Sequence, residues 1–332
     1  MTPAPRVSVL LPVGGRGEWL SEALRSVLSQ TCEDFELLIL LKPERKRLRE
    51  AIVPFRGDPR LVLLEQGPDD YVARLNLGLS QARGQYVARM DADDVAAPRR
   101  LERQVAWLDA RPQTAMVGSY VDSNIESDYL DWLNSFHKHD DVRLGAWIDI
   151  PVVHPTWLAR RSLFERWGGY RYGPFPEDYD LLMRWVLAGE RIEKIPEPLL
   201  FWRRHAGCMT VSDERFSEKA LIGLKARSLV EDGRIRARPL GIVSAGANGK
   251  RLARALARHD VVPRAFFDVD PRKIGGRVGG RIPVLAHDAL GDAEQRDLFL
   301  LIAKGGQADR ARIRGLMDDL SRREGEDYLF VR

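Results

Sequence analysis

The sequence predicts an α/β protein made of two successive units, each with a largely parallel sheet. Three observations predict it. Short apolar, β-branched runs alternate with segments of helical periodicity from residue 7 onward. A polar, basic stretch with Gly and Pro, residues 233–239, interrupts that alternation. At residue 240 a new strand–glycine–helix pattern begins. The length of 332 residues suits two domains of roughly 100–200 residues each. The expected boundaries are a first domain at 1–212, a linker helix at 213–238 and a second, smaller domain at 239–332.

The elements follow in order. Residues 7–13 (VSVLLPV) read as a buried strand bounded by Pro and Gly. A glycine turn at 14–17 leads to a helix, because Leu20, Ala23, Leu24, Val27 and Leu28 share one face. Residues 35–41 and 60–65 are the second and third strands. A helix is expected over 69–82, with Gly84 as its C-terminal cap. Residues 85–90 form a strand that runs directly into Asp91-Ala92-Asp93-Asp94. A helix follows Pro98 to about residue 110. The segment 122–149 is less periodic and rich in aromatics and acids. Residues 177–187 are helical, with Leu181, Leu182, Trp185 and Val186 on one side, and 214–230 is a further helix. In the second unit, strands are expected at 241–245, 265–268 and 298–303, and helices at 250–258 and 309–322.

Composition narrows the function. With 44% apolar and 30% charged residues the chain is globular rather than disordered. No apolar run approaches the ~18 residues of a membrane span, and no apolar core follows the first residues as a secretory signal requires. The 52 basic and 48 acidic residues leave a net charge of only +4. The basic clusters at 42–49 and 99–103 also hold acids, so they read as solvated helix faces and no nucleic-acid partner is expected. Peripheral contact with anionic inner-membrane lipid stays open. Cys32 and Cys208 form neither a metal spacing nor a disulfide framework, which fits a reducing cytoplasm.

Two acidic groups carry chemistry. Asp91 and Asp93, two residues apart just beyond a strand, can converge on one hard divalent cation. The competing reading is that Asp94 and its neighbours cap the helix that follows. Glu177-Asp178 stands at the start of a helix, where a carboxylate can act as general base and its neighbour can set its pKa. The competing reading there is a helix N-terminus whose dipole favours acids.

Residues 7 to about 210 resemble the family 2 glycosyltransferases, which have the GT-A fold. The resemblance rests on blocks in the family's order. These are Leu11-Pro12-Val13, Ala23-Leu24-Arg25-Ser26-Val27-Leu28-Ser29-Gln30-Thr31, Asp34-Phe35-Glu36-Leu37, and Ala82-Arg83-Gly84-Gln85-Tyr86 before Ala88-Arg89-Met90-Asp91-Ala92-Asp93-Asp94. His154-Pro155, Gly168-Gly169-Tyr170, Glu177-Asp178-Tyr179-Asp180-Leu181 and Arg204-His205 follow. The resemblance implies inverting transfer of a sugar from a nucleotide-diphospho-sugar donor. UDP-sugars are the commonest donors in the family. The implied acceptor is a hydroxyl of a glycan or lipid-linked precursor in bacterial surface polysaccharide synthesis. It makes Asp91-Ala92-Asp93 the DxD motif, with Mg²⁺ or Mn²⁺ held by Asp93, Asp91 and His205. Asp178 becomes the general base, with Glu177 in support. Pro12, Val13, Arg89, Asp91, Ala92, Asp93 and His205 fall at donor-binding positions, and Arg203 and Arg204 stand beside them. A homo-oligomer is compatible with this reading.

The chain departs from the family at two places. Pro12-Val13-Gly14-Gly15 replaces an Asn-containing block after the first strand, and Leu41-Lys42-Pro43-Glu44 replaces an acidic block in which an aspartate reads the base. Glu44 is the one acid near that position. These departures support an alternative, a catalytically weak nucleotide-sugar-binding regulatory protein. The 14–20 turn also looks loosely like the glycine loop of sugar nucleotidyltransferases, although Trp19 stands where that loop has Arg. In the second unit, Ser244-Ala245-Gly246-Ala247-Asn248-Gly249 resembles a dinucleotide fingerprint with Ser for its first glycine. Asp268 follows at the position of a ribose-binding acid. Gly246, Gly249 and Asp268 are therefore the candidate nucleotide site of a Rossmann-like domain, with an empty packing domain as the alternative.

Overall fold

Seven consecutive buried residues, Val7–Val13, form β1 near the middle of the first sheet. Both faces of such a strand are covered, so it reads as a continuous apolar run. In chain order the elements of the first part are α1 (Leu20–Leu28), β2 (Phe35–Leu41), α2 (Lys46–Ile52), β3 (Leu61–Leu64), α3 (Tyr71–Gln81), β4 (Tyr86–Arg89), β5 (Val95–Ala96) and α4 (Arg100–Asp109). Then come β6 (Thr114–Ser123), α5 (Asp128–Asn134), α6 (His139–Gly145), β7 (Leu158–Arg160), α7 (Arg161–Trp167), α8 (Glu177–Leu187), β8 (Arg191–Trp202) and α9 (Met209–Ser212). The computed structural model describes residues 4–15, 17–41, 46–65 and 70–332. The chain divides into two compact units. The first comprises Met1–Val142, Pro151–Gly173 and Glu177–Asp213, and the second Arg143–Ile150, Pro174–Pro176 and Glu214–Arg332.

Among the described residues the first unit holds an eight-stranded sheet in the order β3-β2-β1-β4-β7-β6-β8-β5. Strands β3, β2, β1 and β4 are parallel. The antiparallel β7 links β4 to β6, and β8 lies parallel to β6. The carboxyl ends of β1, β4 and β8 therefore share one edge, where ligands of open α/β sheets gather. Trp157 and Trp185, both fully buried, pack together at 5.3 Å between ring centres in the core of this unit.

The structure corrects several expectations. Gly84 is not a helix cap, because α3 ends at Gln81 and Ala82 is its extended cap. Glycine is required at 84 for a different reason, since a Cβ there would stand 2.6 Å from the Ser8 nitrogen on β1. Asp94 caps no helix: α4 begins at Arg100, capped by Arg99 without a side-chain bond. The aperiodic 122–149 segment contains the end of β6 and the short α5 and α6. Strands β6, β7 and β8 escaped the periodicity reading. The β6–β8 pairing carries register shifts that break a strict two-residue alternation. Glu44, Arg16 and the first residue of the helix expected over 69–82 lie outside the described residues.

The second unit contains α10 (Glu218–Asp232), α11 (Arg234–Ala237), β9 (Leu240–Val243), α12 (Ala247–Ala257), β10 (Ala265–Asp268), β11 (Arg277–Val278), β12 (Ile282–Ala286), β13 (Phe299–Ile302), α13 (Gln307–Asp319) and β14 (Tyr328–Phe330). The helix expected as a linker belongs to this unit. Its described sheet has the order β11-β12-β10-β9-β13-β14, parallel from β12 to β14. In chain order the parallel strands run third, second, first, fourth, fifth, which is Rossmann-type with its reversal between β9 and β13. Phe267, Leu300, Met317 and Phe330 are in its core. No helix among the described residues is long and apolar enough to cross a membrane.

Candidate active site

β4 delivers the acidic cluster. Its last residue, Arg89, is buried, and its guanidinium donates to Asp91 Oδ1 at 2.5 Å, to the Tyr71 hydroxyl at 2.5 Å and to the Met90 carbonyl. Arg89 thus orients Asp91 from below instead of standing open at the surface. Burial disfavours its charge, but Asp91, Tyr71 and Tyr170 together outweigh that and hold it above the ordinary guanidinium range. A tight turn at Ala92 and Asp93 follows, and Asp94 is buried behind it. Asp94 Oδ1 accepts the Arg203 N–H at 2.8 Å, while its Oδ2 is buried without a partner. Burial, then Asp91 and Asp93, push the Asp94 carboxyl well above its usual value. Burial likewise raises Asp91 against the pull of Arg89. Asp91 is thus paired with Arg89, and Asp94 is driven toward the neutral acid.

β8 delivers the opposite wall. Arg203, just past its end, donates from Nε to the Asp93 carbonyl at 2.8 Å and from Nη2 to Glu22 at 2.7 Å. Its guanidinium lies over Trp19, 5.2 Å from the ring centre. Arg203 is thereby committed to holding the turn in place, and Arg204 pairs through its backbone with Asn124. His205 Nε2 meets Asp93 Oδ2 at 2.8 Å, and its ring packs on Trp19 at 4.5 Å. The Gly207 N–H donates into Nδ1 at 3.1 Å. A neutral ring so placed carries its proton on Nε2 and donates it to Asp93.

These residues fit a divalent cation. Carboxylate oxygens of Asp91, Asp93 and Asp94 lie within 4.8 Å of one another, as do ligand atoms of Asp93, His205 and Cys208. Oxygens around one ion at ~2.1 Å stand at most about 4.2 Å apart, so small rotations close the set. The unpartnered Asp94 oxygen adds a reason for charge to gather here. Sequence spacing assigned Cys208 no metal role, because no second cysteine stands near it and Asp93 arrives from the turn after β4.

α8 delivers the second acidic pair at its first turn. Asp180 is held by Arg184 Nε at 3.0 Å, so it has a structural partner. Glu177 is buried, and Asp178 Oδ1 accepts the Tyr179 N–H at 2.7 Å. Burial, with the Glu177 charge beside it and Asp91 further off, pushes the Asp178 carboxyl up to about 8. Asp178 and Asp91 therefore share one electrostatic site. Sequence reasoning gave no role to the groups behind Asp178. His154 Nδ1 stands 3.9 Å from Asp178 Oδ2, too long for a hydrogen bond, and its Nε2 meets the Tyr170 hydroxyl at 2.8 Å. Burial, then Arg89, hold His154 well below its usual value, so it is neutral. Asn76 clamps Tyr170 through both backbone groups, at 2.9 Å each. His154 and Tyr170 stand in blocks that carry the family resemblance, but residue type and spacing assigned them no chemistry.

Pro12 and Val13 end β1, both buried. The Val13 carbonyl accepts Arg74 Nη1 at 3.2 Å, which brings α3 to the same edge. In the second unit Ser244 adopts φ +88°, the conformation a glycine would take. A Cβ on Gly249 would stand 2.0 Å from the Ser244 carbonyl oxygen, so glycine is required there. Gly246 is the N-cap of α12. Asp268 accepts the Ala245 N–H at 2.8 Å, the Asp270 N–H at 3.0 Å and Lys273 Nζ at 3.1 Å. Burial opposes its ionisation, but these donors hold it below its usual value. Both its oxygens are engaged within the chain.

Residues 8–168 match the family described as glycosyl transferase family 2. An uncharacterized glycosyltransferase of Rickettsia bellii is 28% identical over 160 residues, 48% of this chain and 23% of that protein. The chain thus spans about a quarter of that relative. The O-antigen biosynthesis glycosyltransferase WbnJ of Escherichia coli is 26% identical over 206 residues, 60% of this chain and 80% of WbnJ. Among solved structures, S. aureus TarS 1-349 in complex with UDP-GlcNAc superposes with a TM-score of 0.56 at 18% identity, covering 78% of this chain and 74% of that one. At that identity the likeness shows the GT-A fold.

Proposed function

We propose, from the premise that residues 8–168 are a family 2 glycosyltransferase domain, that the chain transfers a sugar with inversion. The donor is a nucleotide-diphospho-sugar and the acceptor a hydroxyl of a glycan or lipid-linked glycan. The observation that carries this reading is the pairing of Asp178, a buried carboxyl raised to about 8, with the Asp91–Asp93 turn in one electrostatic site. In the transfer, the acceptor oxygen attacks the anomeric carbon from the face opposite the leaving group. Its proton passes to Asp178, and the bond from that carbon to the diphosphate oxygen breaks. Asp93, with Asp91 and His205, holds Mg²⁺ or Mn²⁺. When bound, the ion neutralises charge on the departing diphosphate. Arg89 keeps Asp91 aimed, and Glu177 keeps the Asp178 proton affinity high enough to accept from an alcohol.

A UDP-sugar is the proposed donor, supported by family frequency and by the UDP-GlcNAc complex of the TarS fold relative. The likeness to an O-antigen enzyme supports an acceptor in surface polysaccharide synthesis. We place the protein in the cytoplasm, at the inner membrane face when its acceptor is lipid-linked. The test uses purified protein with a panel of nucleotide-sugars. Asp178→Asn should abolish transfer while donor binding persists, and Asp93→Asn should abolish ion-dependent donor binding. Transfer that survives in Asp178→Asn would overturn the assignment of the base.

A further inference from the structure

The turn that carries His205 brings a different kind of donor to Asp93. Cys208 carries a half-buried thiol. The His205 N–H donates to its Sγ at 3.4 Å, and the Cys208 N–H donates to the His205 carbonyl at 3.1 Å. This closes a single turn that sets imidazole and thiol side by side. With Asp93 their ligand atoms lie within 4.8 Å of one another. That set is carboxylate, imidazole and thiolate. The other set at this place, Asp91, Asp93 and Asp94, is oxygen only. Oxygen sets suit Mg²⁺ and Mn²⁺, whereas a mixed set with sulfur suits Zn²⁺ and Co²⁺. Around tetrahedral zinc, with bonds of about 2.0–2.3 Å, ligand atoms stand roughly 3.3–3.7 Å apart. The observed spread closes to that by side-chain rotation. Asp93 and His205 are also the ligands proposed above for Mg²⁺ or Mn²⁺, and one imidazole nitrogen holds one ion, so the two kinds of ion exclude each other.

We propose that Asp93, His205 and Cys208 form a site for a thiophilic divalent cation, which takes Asp93 from Mg²⁺ or Mn²⁺ and thereby closes the donor site. The inference rests on the reading of Asp93 as an ion ligand. On binding, the proton that His205 donates from Nε2 to Asp93 moves to Nδ1, which keeps the ring neutral, and the thiol proton of Cys208 leaves to solvent. The turn gives up its Gly207 hydrogen bond in the exchange. The hydrogen bonds from Arg203 to Asp93 and Asp94 are untouched, so the wall stays in place while the ion changes.

The test uses Co²⁺ as a spectroscopic stand-in for Zn²⁺ on the full chain without nucleotide. The expected result is a near-ultraviolet thiolate-to-cobalt charge-transfer band with four-coordinate visible bands. Cys208→Ser should remove the charge-transfer band and weaken Co²⁺ binding at least tenfold, while Cys32→Ser keeps both. One equivalent of Zn²⁺ should release bound Mn²⁺, seen as free-ion signal in electron paramagnetic resonance, from wild type but not from Cys208→Ser. Cys208→Ala, checked by its melting curve, guards against a serine-specific folding defect. Co²⁺ bound without the sulfur band, or a band that persists without Cys208, overturns this site and leaves the Asp93 ion site standing. Failure of Co²⁺ and Mn²⁺ alike to bind overturns both readings.

Discussion

A carboxylic acid at position 178 keeps its proton to about pH 8 because it is buried beside Glu177. As a base it acts only when ionised, so transfer should fail on the acid side. We expect kcat/KM to fall about tenfold per pH unit below an acid limb near 8. Glu177→Gln removes a neighbouring negative charge, which should move that limb to lower pH. A limb in the ordinary carboxylate range, or one unmoved by Glu177→Gln, would count against Asp178 as the base. Trp19 is a second residue whose role lies in what it touches. It packs on His205 and under Arg203, contacts worth about 1–2 kcal/mol together. Trp19→Ala should raise the Mn²⁺ concentration for half-maximal binding up to about tenfold and lower the melting temperature by a few degrees. Asp91, Asp93 and Asp178 were legible as candidates because carboxylates at strand and helix ends stand out in a sequence. Trp19, His154 and Cys208 were given no role, because Trp19 meets His205, His154 faces Asp178 and Cys208 meets Asp93 only once the fold brings them together.

At the scale of elements, the backbone decides which residues are exchangeable. Gly84 lets the chain between α3 and β4 pass against β1, with 2.6 Å between a built Cβ and the Ser8 nitrogen. Gly84→Ala should cost the first unit about 1–3 kcal/mol, read as a lowered denaturation midpoint. In the second unit the turn after β9 makes two opposite predictions. Ser244 holds φ +88°, so Ser244→Gly should stabilise the unit by about 0.5–1 kcal/mol. Gly249→Ala would drive a methyl into the Ser244 carbonyl and should destabilise it by more than about 2 kcal/mol. Denaturant titration distinguishes the signs. Buried runs such as β1 and β2, and the 177–187 helix, were legible with the bounds the structure has, because burial on both faces or one clean apolar stripe leaves a periodic record. β6 and β8 left no such record, because their register shifts interrupt it.

At the scale of the molecule, the second unit gathers pieces that are far apart in sequence. Lys225 on α10 donates to the carbonyls of Ile148 and Val331, residues 77 and 106 positions away. Lys225→Met would leave two carbonyls unpaired and should destabilise this unit by about 2–4 kcal/mol. Mn²⁺ binding, proposed for the first unit, serves as the internal control. Burial holds the Lys225 amine down to about 8 from 10.5. A base whose folded pKa is lowered stabilises the fold above its unfolded value and loses that contribution as pH falls through the folded one. The stability of the second unit should therefore decline from above pH 10 to about 8 in wild type, and this part of the decline should vanish in Lys225→Met.

The sequence by itself determined the two α/β units, their main buried strands, and the acidic groups at 91–94 and 177–178. These are local properties, since periodicity and residue type within a dozen positions encode them. Only the tertiary structure decided which acids are already neutralised: Asp91 by Arg89, Asp94 by its own burial and Asp180 by Arg184. It alone joined Cys208 to Asp93, and engaged Asp268 with its own loop. The physical reason is that charge, desolvation and metal affinity act through space over a few ångströms. The fold, not the spacing along the chain, sets those distances.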